Sequence, residues 1–235
     1  MKVFIFSGSN NTIDSVSERL ARELSDGLQK ARIETALYLA SHSDIKFCEG
    51  CSRCFCGKEC QLQDDMAKIK EDLFASDVIV ILSPVYAHQV PAPMKNLIDR
   101  LTYLTHLMPF AGKACVIISV SSTNGNKPVE EYLHKIFVDF TGASSLDTIS
   151  ILGDMMNERV QSSYISNLID QIRHFKRHPE LHATPEQEEG FKRYNIDYQK
   201  HPESPEAQIW FKQGYHQKNS FEEIISERIQ SKQNQ

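Results

Sequence analysis

The chain has 235 residues, a formal net charge of −5 at neutral pH and 40% hydrophobic residues. This length allows one α/β domain with an appended segment, and the apolar fraction is sufficient for a core. The acidic balance gives no general attraction to nucleic acid, and no apolar run approaches the length of a membrane span. We therefore expect a cytoplasmic protein that binds neither nucleic acid nor membranes.

The chain opens on a short apolar strand, Val3 to Phe6, which leads into a loop rich in Gly, Ser and Asn at residues 7–11. Ser15 and Ser17 then open a helix that runs to Lys30. Such a loop before a helix N-terminus offers free N–H groups, hydroxyl donors and the positive end of the helix dipole. It follows neither dinucleotide nor P-loop spacing, so it favours a terminal monophosphate. A plain helix cap is the alternative.

A cluster of cysteines follows a second predicted strand at Ile33 to Leu39. Five of the six cysteines lie within residues 48–60. Four of them are spaced C-x2-C-x2-C-x5-C: Cys48, Cys51, Cys54 and Cys60. Such thiolates can bind a [4Fe–4S] cluster, whereas zinc ribbons use a longer spacer. A cluster, free thiols on a loop, and metal or redox pairing all stay open, and Cys115 is expected to be a packed core residue.

The loop after the third predicted strand carries the most informative pattern. The strand at residues 78–82 ends in Ser-Pro-Val-Tyr, residues 83–86. Open α/β sheets bind ligands at the carboxyl ends of their strands. Pro84 restricts the backbone and Tyr86 supplies a flat face, so the loop suits a planar heterocycle. An ordinary turn with a surface tyrosine is the alternative, and Asp99 with Arg100 is interpreted as a surface or interface ion pair.

The remaining pattern completes an alternation of strands and helices. Further strands are predicted at residues 114–120 and 148–152, and helices at residues 64–75, 92–104, 129–140 and 158–175. This alternation favours right-handed crossovers and an α/β doubly wound, five-stranded parallel sheet. The strand order 2-1-3-4-5 places the switch point between strands one and three, where the Ser9 and Tyr86 loops lie.

The composition changes near His178, and the chain becomes polar with few aliphatic residues. Helix caps recur at Thr184, Ser204 and Ser220. We expect a domain at residues 1–177 and a helical C-terminal extension at residues 178–235. Its aromatic rings, among them Trp210, need an apolar surface. We expect that surface to be a neighbouring subunit or the ligand edge of the sheet.

Three of these stretches resemble, in order, the NAD(P)H-dependent FMN reductase family, which has the flavodoxin-like fold. They are residues 8–17, 83–100 and 121–125 of this chain. The resemblance implies that the first loop holds the FMN phosphate and that the other two loops hold the isoalloxazine ring. The implied phosphate residues are Ser9, Asn11, Ser15, Val16 and Ser17, and the implied ring residues are Pro84, Val85, Tyr86, Ser121, Ser122, Asn124 and Gly125.

The resemblance further implies that NAD(P)H reduces FMN and that a small acceptor, such as a quinone or a free flavin, receives the electrons. The cofactor carries this chemistry, so no catalytic side chain is named. A homodimer or homotetramer is also implied. The cysteine pattern is similar to that of the iron–sulfur flavoprotein branch, with Cys48, Cys51, Cys54 and Cys60 as ligands of a 4Fe-4S cluster. An electron-transfer iron–sulfur flavoprotein therefore remains an alternative.

A family member that has lost FMN and serves a binding role is a further alternative. Asn10 and Asn11 stand where the family commonly has an arginine, and the third loop has Ser, Thr and Asn in place of a glycine-rich run.

Overall fold

The computed structural model describes residues 1–153 and 157–233. In this part of the chain, five strands form one sheet: Lys2–Ser7 (β1), Glu34–Leu39 (β2), Val78–Pro84 (β3), Ala114–Ser121 (β4) and Ser144–Leu152 (β5). Neighbouring strands pair in parallel, in the order β2-β1-β3-β4-β5. The predicted doubly wound sheet is confirmed, and its switch point lies between β1 and β3.

The helices of the sheet domain are Val16–Lys30 (α1), Met66–Ala75 (α2), Ala92–Leu101 (α3), Asn126–His134 (α4) and Glu158–Arg177 (α5). Those of the extension are Pro185–Lys200 (α6), Pro205–Lys212 (α7) and Phe221–Gln233 (α8). Within the described residues, no helix is both long enough and apolar enough to cross a membrane.

The largest differences from the predicted element boundaries lie in α3, α4 and β5. α3 gives way to a 3-10 turn at Thr102–His106, and α4 begins at Asn126 and continues as a π-helical turn at Lys135–Phe140. β5 begins at Ser144 because its first residues, although polar, pair with the buried strand β4. Pairing with a neighbour decides such an edge strand, and apolar periodicity does not reveal it.

The sheet is covered on both faces, which divides the core into two layers. Val3 and Ile5 pack on the layer that includes α1 and α5, whereas Phe4 and Phe6 pack on the layer that includes α2, α3 and α4. Successive strand residues point to opposite faces. The central strands therefore appear in the sequence as continuous apolar runs, as expected for a parallel sheet.

The extension folds back on its own chain at the amino ends of the strands. Gln187 donates hydrogen bonds to the carbonyls of Val138 and Ala143, 2.9 and 2.8 Å, just before β5. Arg228 donates to the Pro109 and Ala111 carbonyls before β4. These contacts lie at the edge of the sheet opposite to the loops that follow the strands. The last two residues of the extension, 234 and 235, are outside the described residues.

The expectation that the rings of the extension need a neighbouring subunit, or cover the ligand edge, is therefore wrong. Trp210 is fully buried and Tyr215 is 2% exposed, and both belong to the same core layer as Val3. The loops before β4 and β5 provide the surface that these rings require. Sequence patterning missed this because the partner residues are about 100 positions away in the chain. Oligomerisation stays a prediction.

Candidate functional site

The loops after β1, β3 and β4 meet at the carboxyl edge of the sheet. The Gly8 N–H donates to the Leu82 carbonyl over 2.9 Å, which ties the first loop to β3. A Cβ on Gly8 would lie 2.7 Å from the Cβ of Met94, so α3 packs too closely for a larger residue. The Val85 N–H donates to the Val120 carbonyl over 2.8 Å, which ties the second loop to β4. The structure thus brings together the three stretches singled out in the sequence.

In the first loop, two of the predicted phosphate residues shape the loop itself. Ser15 is the N-cap of α1: its Oγ accepts from the Glu18 N–H over 3.2 Å and donates to Ser9 Oγ over 2.8 Å. Asn11 Oδ1 accepts two backbone N–H bonds and its Nδ2 donates to the Asp14 carbonyl, which closes an Asx turn. The cap interpretation therefore holds for Ser15.

The donors that remain available lie at the beginning of α1. Within the described residues, Ser17 Oγ makes no hydrogen bond, and the N–H groups of Val16 and Ser17 are in the first helical turn, which has no intrahelical acceptor. Ser9 Oγ accepts two hydrogen bonds and keeps its own proton free to donate. Val16 also lies beside the end of β5, because a Cβ on Gly153 would be 3.6 Å from Val16 Cγ2.

A further unsatisfied polar atom lies at the end of β1. Ser7 is fully buried, and within the described part of the chain its Oγ has no hydrogen-bond partner. Leaving such a hydroxyl unsatisfied costs free energy. An unsatisfied hydroxyl beside free N–H groups at a helix N-terminus fits the oxygens of a phosphate monoester. The residues of the first loop therefore fit the phosphate end of FMN.

The second loop is a tight hairpin. Tyr86 and Gln89 exchange both backbone hydrogen bonds at 2.9 Å, around Ala87 and His88, whose φ angles are 49° and 60°. These left-handed angles suit two-residue hairpins but are costly for residues other than glycine and asparagine. The hairpin leaves the Tyr86 side chain 53% exposed beside Pro84, the last residue of β3. The pair Ala87-His88 carries no turn signal, so the sequence did not predict this strain.

The third loop packs directly on the second. Gly125 has a φ of 89°, and a Cβ there would lie 2.7 Å from Val85 Cγ1. Glycine is therefore required by both backbone conformation and space. Ser122 and Asn124, which precede it, are exposed. They remain available to a ligand on this edge.

A buried network beneath the third loop was missed in the sequence. Asn126 Oδ1 accepts from Ser121 Oγ, and Asn126 Nδ2 donates to the Ser119 carbonyl over 3.1 Å. Glu130 accepts from the hydroxyls of Ser119 and Ser150, which joins β4 to β5. The Ser121 hydroxyl is thus directed to Asn126, so its role is to support the loop. An asparagine that follows glycine at a helix start is the only signal the sequence offered.

The cysteine segment, residues 48–60, lies against α2 and α3 and is fastened at its base by Arg100. Arg100 donates to the Lys46 carbonyl over 2.7 Å and forms an ion pair with Asp64, with side chains 3% and 1% exposed. Its Nη2 lies 3.6 Å from Cys60 Sγ. Burial alone would raise the pKa of Asp64, but the Arg100 hydrogen bonds and two backbone N–H groups hold it below its ordinary value.

The interpretation of Asp99 with Arg100 as a surface pair is therefore wrong. Asp99 pairs with Lys95 on the exposed side of α3, whereas Arg100 turns inward to Asp64. Adjacent residues on a helix face different directions. The true partner, 36 positions earlier, has no local signature.

Four of the five cysteines of the segment, all but Cys56, line a cavity of about 340 Å³ that is also lined by Met66 and Tyr103. Cys48, Cys51 and Cys56 are exposed, and Cys54 and Cys60 are half-buried. Among the residues that the structure describes, no three His, Cys, Asp or Glu side chains are arranged to hold a metal ion. In this conformation Cys48, Cys51, Cys54 and Cys60 therefore do not fit a cluster.

The sixth cysteine behaves as predicted. Cys115 is buried in β4, and burial raises the pKa of its thiol to about 12.

A parallel sheet in this order with a ligand site at its switch point defines a flavodoxin-like α/β protein. Residues 1–155 match the model of the NADPH-dependent FMN reductases, so the chain belongs to that family of flavin oxidoreductases. An iron–sulfur flavoprotein of Archaeoglobus fulgidus is 33% identical over 113 residues, which are 48% of this chain and 51% of that protein. The chain thus spans about half the length of that relative.

Solved structures show the same fold at lower identity. An NAD(P)H:quinone oxidoreductase from Methanothermobacter marburgensis has a TM-score of 0.55 at 16% identity, covering 74% of this chain and 98% of its own. An archaeal flavodoxin has a TM-score of 0.50 at 11% identity, covering 75% of this chain and 99% of its own. These similarities bear on the fold alone.

Proposed function

We propose that this protein is an FMN-dependent oxidoreductase that takes a hydride from NAD(P)H and passes electrons to a small acceptor such as a quinone or a free flavin. The observation that carries the proposal is the meeting of three loops and the α1 N-terminus at one sheet edge. Unsatisfied donors at this edge, including Ser7 Oγ and the first N–H groups of α1, support an anionic ligand. Membership of the FMN reductase family supports FMN as that ligand.

In this proposal the first loop orients the phosphate and the other two orient the ring. The N–H groups of Val16 and Ser17 and the hydroxyls of Ser9 and Ser17 donate to phosphate oxygens. The Pro84–Tyr86 hairpin and the exposed backbone around Asn124 position the ring. When bound, FMN supplies the hydride-accepting and electron-donating chemistry, and the protein supplies orientation and N–H donors. The exposure of Tyr86 leaves room for the nicotinamide and the acceptor in turn.

FMN binding tests this proposal directly. Titration calorimetry of purified protein should give micromolar or tighter binding, and NADH or NADPH oxidation should depend on bound FMN and on an added quinone. If calorimetry detects no binding of FMN, the reductase assignment fails and a member that has lost FMN becomes the better description.

The phosphate contacts can be tested at Ser17. Ser17→Ala removes a free hydroxyl without touching the helix cap, and it should weaken FMN binding by about 1.5–3 kcal/mol, the range for a hydrogen bond to a charged group. Ser163→Ala, an exposed serine on α5, is the matched control and should leave the affinity unchanged. Equal affinity of both variants would mean that Ser17 does not contact the phosphate. Ser15→Ala is less informative because it also removes the cap of α1.

A second candidate is an iron–sulfur flavoprotein that acts in electron transfer. The spacing of Cys48, Cys51, Cys54 and Cys60 favours it, as does the similarity to the Archaeoglobus protein of that name. Because the thiols do not form a metal site in the present conformation, this candidate requires the segment to rearrange. Iron and acid-labile sulfide should be assayed on anaerobically purified protein. About four irons per chain would establish a cluster, and none would exclude it.

We also propose that the protein forms a homodimer or a homotetramer. An exposed apolar side chain supports this assembly, namely Ile13 in the first loop at 95%. A protein interface would bury such a side chain. Light scattering coupled to size-exclusion chromatography should give a mass of two or four chains, and a mass of one chain would contradict the proposal.

A further inference from the structure

The C-terminal extension lies outside the residues matched to the reductase family, so that match gives it no role. We propose that this extension is the docking surface for the cysteine segment of the same chain. Phe55, in the middle of the segment, acts as a latch that holds Cys54 and its neighbours over the cavity beside α2 and α3. The proposal does not depend on the flavin reaction.

A continuous series of rings joins the segment to the extension. The 3-10 turn Cys54–Cys56 contacts α7, and the Phe55 ring lies 6.0 Å from the His106 ring, centroid to centroid. The His106 ring in turn lies 6.0 Å from the ring of Tyr194 on α6. Such separations are in the range of favourable aromatic contacts.

The extension also fixes the backbone on which His106 stands. Tyr198 Oη donates to the His106 carbonyl over 2.9 Å, and Tyr194 Oη donates to the Thr105 carbonyl over 3.3 Å. Tyr198 packs 5.3 Å from the fully buried Trp210. The seat of Phe55 is therefore anchored in the core of the protein, whereas the segment it receives is at the surface.

The two attachments of the segment differ in strength. At the base, Arg100 holds Lys46 and Asp64 through buried polar contacts. Between this base and Phe55, the backbone passes through left-handed angles on both sides, at Gly50, Ser52 and Gly57. Apart from the glycine and its chain neighbours, no described residue has an atom within 4 Å of a Cβ built on Gly50 or Gly57. The glycines are thus loosely packed, and in this proposal the contacts of the 3-10 turn with α7 and His106 determine where the turn lies.

Release of the latch would open the cavity. Phe55 and Cys54 line the cavity together with Met66 and Tyr103. Lifting Phe55 from His106 would move the 3-10 turn away from α2 and α3 and expose the half-buried Cys54. The extension would thus control solvent and reagent access to this thiol.

The experiment is alkylation of the intact, full-length protein with iodoacetamide, resolved by residue with mass spectrometry. Phe55→Ala should raise the labelling rate of Cys54 about tenfold, the factor that corresponds to about 1.4 kcal/mol in the closing equilibrium. The already exposed Cys48 should keep its rate in the same sample. Phe47→Ala, which removes an exposed phenylalanine just before the segment, is the matched control and should label like the wild type.

A second variant tests the ring that joins Phe55 to the extension. His106→Ala removes the ring between Phe55 and Tyr194 at an exposed position, where the fold tolerates the change. It should raise Cys54 labelling as Phe55→Ala does, and the double variant should add little to either. Labelling of the buried Cys115 reports global unfolding. If Phe55→Ala shows such labelling, the proposal is judged on His106→Ala. An unchanged Cys54 rate in His106→Ala, or full additivity in a folded double variant, overturns the proposal.

Discussion

The two edges of the sheet are built in opposite ways. At the amino edge, the extension buries aromatic rings and satisfies the carbonyls before β4 and β5 with Gln187 and Arg228. At the carboxyl edge, Ser7 Oγ is unsatisfied within the described residues, Tyr86 is half exposed, and Ala87 is held at a positive φ. The amino edge also keeps an unsatisfied buried hydroxyl within the described residues, at the first residue of β5, so the contrast lies in the rings, which are buried at this edge and exposed at the other. The amino edge therefore stabilises the fold, and the carboxyl edge is where we propose that FMN binds.

The largest expected effect follows from removing a buried ring at the amino edge. Trp210→Ala leaves a cavity among Phe191, Tyr198 and Tyr215, and it should lower the free energy of unfolding by about 3–5 kcal/mol. Thermal and denaturant unfolding measure this loss. At temperatures where the variant is folded, its affinity for FMN should equal that of the wild type. A loss below 1 kcal/mol would mean that the extension contributes little to the core, and Phe47→Ala serves as the exposed aromatic control.

The intermediate effect concerns the carboxyl edge, where Asn126 supports the third loop. Asn126→Ala leaves Ser121 and the Ser119 carbonyl without their partner, and it should cost about 1–3 kcal/mol of stability. Because the third loop loses its support, FMN affinity should also fall, by about tenfold. Calorimetry and chemical unfolding test both effects, with the exposed Asn167→Ala on α5 as control. A stability loss without any change in FMN affinity would show that the network serves the core and not the site.

The smallest expected effect is a pH dependence of the free energy of unfolding, and it arises at the amino edge. Burial lowers the pKa of Lys113, which donates to the Phe74 and Ser76 carbonyls, to about 8. Between about pH 8 and 10 the unfolded chain binds more protons at this lysine than the folded chain, so the stability that it contributes should rise with pH. Cys115 opposes this rise above about pH 9, because burial raises the pKa of its thiol to about 12 and only the unfolded thiol ionises, and Tyr215 adds the same effect above pH 10.

Denaturant unfolding at pH 7, 8, 9 and 10 measures this dependence. The stability of Lys113→Met relative to the wild type should fall between pH 8 and 10, because the variant lacks the rising contribution, whereas Lys127→Met, which removes an exposed lysine on α4, should follow the wild-type curve. Parallel pH curves for Lys113→Met and the wild type would contradict the assignment to Lys113.

The local pattern was sufficient for most of the fold. Apolar runs predicted β1, β3 and β4, and cap residues placed the starts of α1, α6 and α7 at Ser15, Thr184 and Ser204. Where local pattern and pairing disagreed, the prediction failed. The polar start of β5 and the π-helical end of α4 depend on neighbours that no short window contains.

The candidate site was likewise predicted only in part from the sequence. Residue types and loop positions, together with the flavodoxin-like strand order that the resemblance implies, indicated which three loops meet. They did not indicate that Ser15 and Ser121 support the loops, whereas Ser17 keeps its hydroxyl free. The direction of a hydroxyl depends on which acceptor is nearest in space, and Asn126 becomes a neighbour of Ser121 only through the turn at Gly125.

By itself, the sequence determined the alternation of strands and helices, the parallel sheet and the starts of α1, α6 and α7, since each follows from local periodicity or from a cap residue. Tertiary structure alone decided that Arg100 pairs with Asp64, that Phe55 meets His106, and that Trp210 enters the core of its own chain. These contacts join residues 15 to more than 100 positions apart, as in the bond from Tyr215 to the Met108 carbonyl. Their partners are selected by shape and burial after the chain has folded, and no short stretch of sequence carries that information.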